Sequence, residues 1–593
     1  MADNSDEVIV SVVTSVAPLS KALSYRVPES FRGPTSIGSR VAVPLHGRTV
    51  TGWIVGEEAN DQLEAQQLKS LTRSQGYGPP ESLVDLCRFA AWRWAGSLAH
   101  FLSAASPATI VASLPDAPKQ VMVEVPDSAL GRCFGALQPG DIVLGELGPA
   151  HDPFDVVLGA VAACANDDQG GSLLVMVPSK GYAKRLSGRL ARRGVRCVEV
   201  NDAWDAARSG WPVVVGTRNV AFAPVPRVAG AVVLDAEDPA LISSAAPTVS
   251  GLEVLAERVR RDQGRMVALS PVPHARLLDG RVPIKVAEPP EREGWATPII
   301  VNRQGGDPRL GWISQELVAA ARDALEHQHS GVAGVCVINR KGRAKLLVCK
   351  RCDTVARCAN CEAAVSLGDT LVCPRCGATQ PSVCKSCGSM SFKQLRLGTQ
   401  RLAEEFGALL GVPCGEVTAE TKELDPKARF LVGTEAVLYR LRTTSLVGFV
   451  DIDHHLLASR ASAEIDALRL LARASRLVGG RGAMQRGRVL VQTRLEEHRV
   501  FDALKKGDPT PVLNADRDLR AQLQLPPFRA MAAISGAGQQ ELCAALEALG
   551  ADVITMEDHA VVVGDNHEVL CTLLEQAGRP KARVRVALDP EEV

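Results

Sequence analysis

The chain has 593 residues, of which 46% are hydrophobic and 23% charged, a composition that predicts a globular protein of about three to five domains. Its 67 basic and 67 acidic residues cancel, so any contact with nucleic acid would have to come from local patches. The acidic start does not resemble a signal peptide, and the longest apolar runs fall short of the ~18 residues that span a bilayer. We therefore expect a cytoplasmic protein with no membrane partner.

Residues 1–114 carry the pattern of a small β domain with a packed helix. Hydrophobic residues alternate over Val8–Val16, Ser39–Pro44 and Thr49–Gly56, and glycine and proline separate these runs, which predicts a small barrel or sandwich. A helical pattern follows over Pro80–Ser103. Residues 115–140 form a proline-containing connector with one short alternating stretch, Val121–Val125.

Two blocks of alternating strands and helices come next, at residues 141–292 and 293–500, and this alternation predicts two parallel-sheet lobes. The strands predicted for the first lobe are Asp141–Leu144, Ser172–Val177, Pro212–Val215, Gly230–Leu234 and Arg265–Leu269, and its helices are Asp155–Ala165 and Gly181–Arg193. The strands predicted for the second are Gly334–Ile338, Arg429–Val432, Leu446–Asp451 and Arg488–Gln492, and its helices are Ser314–His327, Thr399–Leu410 and Ser462–Leu477. Residues 501–593 predict a small C-terminal α/β domain.

A cysteine-rich insert at residues 345–395 interrupts the second lobe. It holds four Cys-x-x-Cys pairs, which are Cys349/Cys352, Cys358/Cys361, Cys373/Cys376 and Cys384/Cys387. Two thiolates three residues apart can grip one metal ion, so four pairs predict two closed zinc sites of four cysteines each, with two Zn²⁺ per chain. The competing interpretation, disulfides or scattered core cysteines, fits poorly with four evenly spaced pairs.

The spacing of the pairs favours a nested arrangement. Five residues separate the first two pairs, whereas eleven separate the second from the third, around a hairpin signal at Gly368–Asp369. We therefore expect pairs two and three to share an inner zinc, and pairs one and four an outer zinc. A closed thiolate site has no open position for water, so both metals should be structural. The cations around the insert could balance its charge or face nucleic acid: Lys345, Lys350, Arg351, Arg357, Arg375, Lys385, Lys393 and Arg396.

Several segments resemble the primosomal protein N′ (PriA) family of bacterial replication-restart helicases. They are the cysteine pairs followed by Leu397–Gln400, together with Val337–Gly342, Leu174–Pro178, Val215–Arg218, Val432–Thr434, Leu525–Phe528 and the Tyr25–Gly52 region. The resemblance implies two RecA-like helicase lobes and an N-terminal domain that binds a 3′ DNA end. It also implies a winged helix, for which the connector at 115–140 is too short.

The segments that would bind and hydrolyse ATP depart from the family pattern. Gly145–Pro153 stands where the phosphate cradle belongs and lacks its Gly-Lys-Thr, while Asp235–Asp238 replaces Asp-Glu-Glu-His. Both arginine positions of the family's last motif become Gly480 and Ala483, and Arg481 is displaced by one place. Leu438–Arg442 replaces another family segment, Lys-Gly-His-His-Phe. We therefore expect a degenerate ATP site and no catalytic residues.

In the domain that the resemblance assigns to the 3′ DNA end, the family's aromatic and acidic pocket residues map to Leu23 and Ser24. Lys69 matches the family's pocket lysine and would contact phosphate, although a solvated surface lysine is an equally good interpretation.

These observations predict a protein that binds forked or branched DNA and helps reload the replicative helicase. Its partners would include primosome and helicase-loading proteins, and single-stranded DNA-binding protein. Two alternatives remain open: an active ATP-dependent 3′→5′ helicase with divergent motifs, and a zinc-ribbon scaffold that binds only proteins.

Overall fold

The computed structural model describes residues 8–16, 21–57, 68–119, 123–286, 291–304, 312–328, 331–338, 347–394, 399–418, 421, 423–481 and 487–590. Several predicted features fall partly or wholly outside these ranges. They are Lys345, Arg396, the segments 339–342 and 397–398, residues 121–122 of the alternating stretch, and Ala483.

The N-terminal domain is an antiparallel sheet with strand order β2-β1-β4-β3-β5, covered by two helices. Its elements are β1 (Ile9–Thr14), β2 (Leu23–Arg26), β3 (Arg40–Leu45), β4 (Arg48–Gly56), β5 (Arg73–Ser74), α1 (Glu81–Arg93) and α2 (Leu98–Ala104). The single helix predicted over Pro80–Ser103 is wrong, because the chain breaks between α1 and α2. Ala95 adopts a positive φ of 46°, and the Ser97 side chain caps α2 by accepting from the His100 N–H.

The first lobe is a seven-stranded parallel sheet with strand order β12-β6-β11-β10-β7-β9-β8. A short helix, α3 (Ala129–Cys133), precedes it in the connector. The elements of the lobe are β6 (Ile142–Glu146), α4 (Phe154–Ala165), β7 (Ser172–Met176), α5 (Lys180–Arg192), β8 (Cys197–Glu199), α6 (Trp204–Arg208), β9 (Val213–Gly216), β10 (Val228–Leu234), α7 (Gly251–Arg261), β11 (Arg265–Ser270) and β12 (Ile284–Lys285). Strands β7, β9 and β10 are buried along their whole length, as expected of a sheet covered on both faces.

The second lobe is a six-stranded parallel sheet with strand order β13-β23-β22-β14-β21-β20. Its elements and those of its insert are, in chain order, β13 (Pro298–Asn302), α8 (Gln315–His327), β14 (Gly334–Val337), β15 (Leu347–Cys349), β16 (Ser366–Leu367), β17 (Leu371–Val372), β18 (Thr379–Gln380), β19 (Phe392–Gln394), α9 (Thr399–Leu410), β20 (Cys414–Val417), β21 (Phe430–Gly433), β22 (Leu446–Phe449), α10 (Asp453–Leu456), α11 (Ala463–Val478) and β23 (Arg488–Thr493). The insert comprises β15–β19 and leaves the lobe after β14. It contains the predicted hairpin, because β16 pairs with β17 around Gly368.

Two further helices, α12 (Arg499–Lys506) and α13 (Thr510–Gln522), join the core of the second lobe. Phe501, Leu504 and Val512 pack there with residues of α11 such as Leu471. The predicted boundary at residue 500 therefore separates helices that share one core with the lobe. The amphipathic pattern of α12 and α13 indicates two helices but not the surface that they cover.

The C-terminal domain is an antiparallel sheet with strand order β25-β26-β24-β27 and two helices. Its elements are β24 (Ala530–Ser535), α14 (Gln539–Ala548), β25 (Asp552–Thr555), β26 (Ala560–Gly564), α15 (His567–Ala577) and β27 (Arg585–Leu588). Its apolar residues share one buried cluster with α1 and with the first lobe. The two ends of the chain thus pack together against the first lobe.

Candidate functional site

Each of the four Cys-x-x-Cys turns, which we call knuckles, has the same backbone geometry. In every knuckle the residue after the second cysteine has a positive φ between 57° and 72°, and its N–H donates to the carbonyl of the first cysteine. The four residues are Asp353, Glu362, Gly377 and Gly388. Glycine adopts this left-handed conformation freely, whereas the two acidic residues adopt it at a cost in backbone strain. The glycines were visible in the sequence, but the matching conformation of Asp353 and Glu362 was not.

The knuckles bring the eight thiols into two groups of four. Cys349, Cys352, Cys384 and Cys387 form the outer group, and Cys358, Cys361, Cys373 and Cys376 form the inner group. This confirms the nested grouping. Within both groups the sulfurs of opposing knuckles lie 3.5–3.6 Å apart. Four sulfurs at about 2.3 Å from one zinc ion would stand ~3.8 Å from each other, so both groups fit a tetrahedral metal.

Backbone donors orient the sulfurs in the way that metal-bound thiolates require. The N–H of Arg351 donates to the Cys349 sulfur at 3.4 Å, and the N–H of Asn360 donates to the Cys358 sulfur at 3.3 Å. At Cys376 the backbone N–H of Ala378 is the main cause that lowers the thiol pKa, to about 6, whereas burial raises the pKa of Cys361, in the same group, to about 12. Thiolates held in this way suit a soft metal ion such as zinc, and the four ligands of each group would leave no position for a reactive water.

The insert is fastened to the second lobe on both sides. On the inner side the guanidinium of Arg375 donates to the carbonyls of Ala458, Ser459 and Arg460, just after α10. On the outer side Asp353 forms ion pairs with Lys393 at 3.0 Å and with Arg494, at the end of β23, at 3.5 Å. These contacts fix the orientation of the insert on the lobe.

These contacts show which cations near the cysteines already have a partner in the protein. Arg375 binds backbone carbonyls, Arg357 pairs with Glu362 at 2.7 Å, and Lys393 pairs with Asp353. Among the cations of the insert, within the residues described, those whose side chains remain exposed are Lys350, Arg351 and Lys385. This part of the predicted basic surface is therefore smaller than the sequence indicated.

A second candidate site is the interlobe cleft, the space bordered by residues 145–153 and 235–238 of the first lobe and residues 476–481 of the second. Arg476, on α11, spans this cleft. Its Nη1 lies 2.5 Å from Oδ2 of Asp235, and its Nε donates to the carbonyl of Pro149 at 2.6 Å. The carboxylate raises the pKa of the Arg476 guanidinium, even though burial alone would lower it. An internal ion pair thus joins the two lobes.

Backbone contacts close the cleft further, at the loop in the place of the phosphate cradle. The N–H of Ala150 donates to the carbonyl of Gly294 at 3.0 Å, and the N–H of Arg481 donates to that of Glu293 at 2.8 Å. A Cβ atom at Gly480 would lie 2.4 Å from the Glu293 carbonyl and 3.0 Å from the Ala150 side chain. Only glycine therefore permits this close approach.

The acidic residues of the cleft are strongly perturbed. Burial, and after it the nearby Asp235, raise the pKa of Glu237 to about 7, although Ser270 donates a hydrogen bond to it. Asp235 itself has a positive φ of 55°. Ala236 lies between them and is buried. The carboxylate that could coordinate a metal, Asp235, already has a cationic partner in Arg476.

Arg481 does not point into the cleft as a displaced arginine finger would. Its Nη2 donates to the carbonyls of Leu504 at 2.9 Å and Lys505 at 2.7 Å. The arginine that enters the cleft is Arg476, which the motif comparison does not identify as functional. The cue in the sequence is its place just before the segment in which the family's arginines become Gly480 and Ala483.

The structure places the predicted DNA-end residues on one edge of the N-terminal sheet. Leu23 and Ser24 lie on β2, where Ser24 is buried and Leu23 is partly exposed. The Lys69 side chain is exposed, and its carbonyl accepts from the N–H of Arg26 at 3.0 Å, which brings it beside β2. Phosphate binding by Lys69 stays a prediction.

Comparisons with known proteins find similarity for the N-terminal domain and for most of the chain. The family model described as 3′DNA-binding domain (3′BD) of PriA matches residues 7–107, the region of β1–β5, α1 and α2. Proteins named probable replication restart protein PriA from Mycobacterium tuberculosis and Mycobacterium leprae are each 26% identical to this chain. Both alignments cover 88% of the chain, with 85% and 86% of the relatives. Over most of its length the chain is therefore similar to proteins named replication restart protein PriA. The relative from Treponema pallidum, named replication restart protein PriA, is 23% identical over 86% of the chain.

Among solved structures, a DEAD box protein from Methanococcus jannaschii aligns with 64% of this chain and 90% of its own length, at 10% identity and a TM-score of 0.30. Both lobes of this chain are parallel sheets, which is the predicted fold class. Within the described residues no helix combines the length and the apolar character needed to cross a bilayer.

Proposed function

We propose that this chain is a replication-restart protein that binds forked or branched DNA and recruits other proteins there, without hydrolysing ATP itself. The single observation that carries the proposal is the contact of Arg476 with Asp235 and with the Pro149 carbonyl. A PriA-family protein that cycles nucleotide would need this space for phosphates and a metal ion. Here a side chain and backbone groups of the protein itself make contacts across it.

The sequence of the cleft supports the same conclusion. A phosphate cradle needs free backbone N–H groups, a lysine and a hydroxyl, and Gly145–Pro153 has proline at two positions and no lysine. Hydrolysis also needs a carboxylate that orients water, and Ala236 has none. Arg481, turned to backbone carbonyls, does not stabilise charge in the cleft.

The remaining parts would serve recognition. The N-terminal domain would take the 3′ end of a strand, with Lys69 on a phosphate. The insert would hold two structural zinc ions and offer a fixed surface to primosome and helicase-loading proteins, and to single-stranded DNA-binding protein. Because the proposed ligand is chromosomal DNA, the proposed location is the cytoplasm.

One preparation of the full chain tests the proposal. We expect salt-sensitive binding to a forked DNA with a 3′ end, tighter than to a plain duplex of the same length, and no DNA-stimulated release of phosphate from ATP. Asp235→Ala serves as the control for a contaminating ATPase. Turnover that disappears in this variant would establish the active helicase and overturn the proposal. Zinc-dependent protein binding with no affinity for DNA would favour the protein-only scaffold.

A further inference from the structure

The C-terminal domain contains a strongly acidic segment that the neutral net charge of the chain conceals. Residues 530–578, from the start of β24 to the turn after α15, contain eight aspartates and glutamates and no lysine or arginine. All eight are exposed: Glu541, Glu547, Asp552, Glu557, Asp558, Asp565, Glu568 and Glu575. This charge would repel the phosphates of DNA, so the surface suits a ligand other than nucleic acid.

One edge of the sheet in this domain is open, and it lies within the acidic segment. In the strand order β25-β26-β24-β27 the outer strands are β25 and β27. The first lobe covers the outer side of β27, because the Leu588 N–H donates to the hydroxyl of Thr248 at 3.1 Å. Within the described residues β25 pairs only with β26, through Asp552–Thr555. The outer side of β25 is therefore the place at which a further strand could pair.

The register of β25 shows which of its backbone groups face the open edge. The Met556 N–H donates to the His559 carbonyl at 2.8 Å, across the turn into β26. Hydrogen-bonded pairs alternate along an antiparallel ladder, so two and four residues earlier β25 again bonds to β26. The N–H and C=O groups of Val553 and Thr555 therefore point outward. The strand contains no proline, lysine or bulge, which are features that protect natural edges from pairing.

Apolar side chains beside the open edge are only partly covered. Ile554 and Met556 share one face of the strand and are 48% and 39% exposed. Val561, which stands opposite Ile554 on β26, is buried. An apolar side chain on an added strand would continue this row and remove the remaining surface of Ile554 from water.

Acidic side chains bracket the two apolar ones. Asp552 precedes Ile554 on the same face of the strand. Glu557 and Asp558 follow Met556 in the turn to β26. The strand from Asp552 to Met556 is about 14 Å long at ~3.4 Å per residue. A complementary segment would have about six residues, apolar at its centre and basic at both ends.

The charge of the edge decides between the occupants that an open strand can accept. A second copy of this chain that paired β25 with β25 would bring the carboxylates of Asp552 and Glu557 in both copies together, which is unfavourable. The basic edge of the same sheet, β27 with Arg585, does not offer a partner because the first lobe covers it. A nucleic acid has the wrong charge. A basic segment of another protein fits both the backbone groups and the charge.

We propose that the outer edge of β25 binds an extended, lysine- or arginine-rich segment of a partner protein as a fifth strand of the C-terminal sheet. Backbone hydrogen bonds to Val553 and Thr555 would supply the pairing, whereas Asp552 and Glu557 would select basic residues. This surface lies outside the zinc insert, to which the proposed function assigns partner binding. It depends neither on DNA binding nor on the interlobe cleft.

The test uses the full chain and a fluorescent peptide as the probe, with arginines at both ends and alternating valine and threonine between them. Thr555→Pro removes an outward N–H and leaves the ladder to β26 intact, because an edge strand tolerates proline where its N–H faces solvent. Thr555→Val keeps the N–H and is the matched control. We expect fluorescence anisotropy to show binding at least about tenfold weaker for Thr555→Pro, and within about twofold of wild type for Thr555→Val.

Two charge reversals test the kind of partner. The double variant Asp552→Lys, Glu557→Lys should bind the peptide about tenfold more weakly or worse. Its control, Glu568→Lys with Glu575→Lys, changes the charge of the domain equally on α15 and should weaken binding by less than about threefold. Hydrogen exchange supplies the structural readout, because the amides of residues 551–557 should become protected when the peptide binds to wild type and not to Thr555→Pro.

Four results would overturn the proposal. The first is that wild type fails to bind the peptide at about 1 mM. The second is equal affinity of Thr555→Pro and Thr555→Val, or equal effects of the two charge reversals, since general attraction would then hold the peptide. Displacement of the peptide by single-stranded DNA would assign the edge to nucleic acid, and wild-type dimers that Thr555→Pro abolishes in sedimentation would assign it to a second copy. These measurements are separate from fork binding and ATP turnover, which test the proposed function.

Discussion

The ion pair between Arg476 and Asp235 joins the two lobes. Both groups lie at an interface and are largely shielded from water, with side-chain exposures of 28% and 10%. Removal of one partner from such a pair leaves a charge that is partly buried and uncompensated. Arg476 also binds a backbone carbonyl of the other lobe, so it contributes more than a simple ion pair.

We expect Arg476→Ala and Asp235→Asn each to destabilise the lobes by about 1–3 kcal/mol. The coupling between them, measured in a double-mutant cycle of urea unfolding, should be about 1–2 kcal/mol. The matched control is the exposed pair Arg189 and Asp152, for which the coupling should stay below about 1 kcal/mol. Equal coupling energies for the two pairs would show that the lobes are not held together by Arg476.

The carboxyl of Glu237 lies in the interlobe cleft, and its pKa is raised to about 7. The folded protein binds a proton more readily than the unfolded chain does, so its stability falls as pH rises from about 4.5 to 7 and is then constant. Glu237→Gln removes this cost. We expect the free energy of unfolding of the variant to rise relative to that of wild type by about 1–3 kcal/mol between pH 5 and pH 8. Glu568→Gln, at an exposed position on α15, is the control.

At the scale of elements, the insert combines two metal groups with separate attachments to the lobe. The inner group has its own small core, which includes Leu347, Val365 and Leu371, and it is fastened by Arg375. The outer group includes Cys349, the last residue of β15, which pairs with β19. The two halves should therefore lose metal independently.

We expect two zinc ions per chain, and one after Cys387→Ser or Cys376→Ser, because thiolate binding energy is part of the folding energy of each half. Elemental analysis measures the content, and limited proteolysis near Gly368 reports on the inner half. Cleavage there should increase in Cys376→Ser and remain slow in Cys387→Ser. Cys197→Ser, outside the insert, is the control. A wild-type content near one zinc would contradict the assignment.

The sequence predicted those elements whose pattern is local. Buried strands such as β7 and β10 are continuous apolar runs, and the knuckles are recognisable by their spacing, so both lobes and the nested cysteine groups were predictable. The missed features depend on distant contacts. The conformation of Asp353 is set by a turn and by ion pairs to Lys393 and Arg494, and the role of Arg476 exists only when the lobes meet. The break before α2 had a local cue in Gly96-Ser97, but the helical periodicity on both sides outweighed it.

At the scale of the whole molecule, the two ends of the chain are joined through Arg93, on α1. Arg93 is buried and forms ion pairs with Glu253 of the first lobe at 2.8 Å and with Asp589, just after β27, at 3.2 Å. Burial alone would raise the pKa of Asp589, but the hydrogen bond from His567 and the charge of Arg93 lower it overall. One arginine thus ties three parts of the chain together.

We expect Arg93→Ala to lower the free energy of unfolding by about 2–4 kcal/mol, because two carboxylates lose their common partner. Arg529→Ala, which breaks an exposed pair with Asp565, should cost at most about 1 kcal/mol. The stability that Asp589 contributes is present at neutral pH and is lost as pH falls below about 4. Thermal unfolding at pH 7 and pH 3 measures both effects, and a difference between the two variants that grew as the pH fell would contradict the role of Asp589.

The contact of Arg476 between the lobes has a consequence for time as well as for energy. Enzymes that alternate between open and closed lobes release their ligand at a set point in each turnover. The ATP concentration therefore controls the lifetime of their complex with the ligand. On the proposed function, lobes that are joined by their own side chains would have no such schedule. Release from DNA would then be a single thermally activated step, with a lifetime that responds to salt and temperature and is indifferent to ATP. Such a protein would mark a fork until a competing partner displaced it.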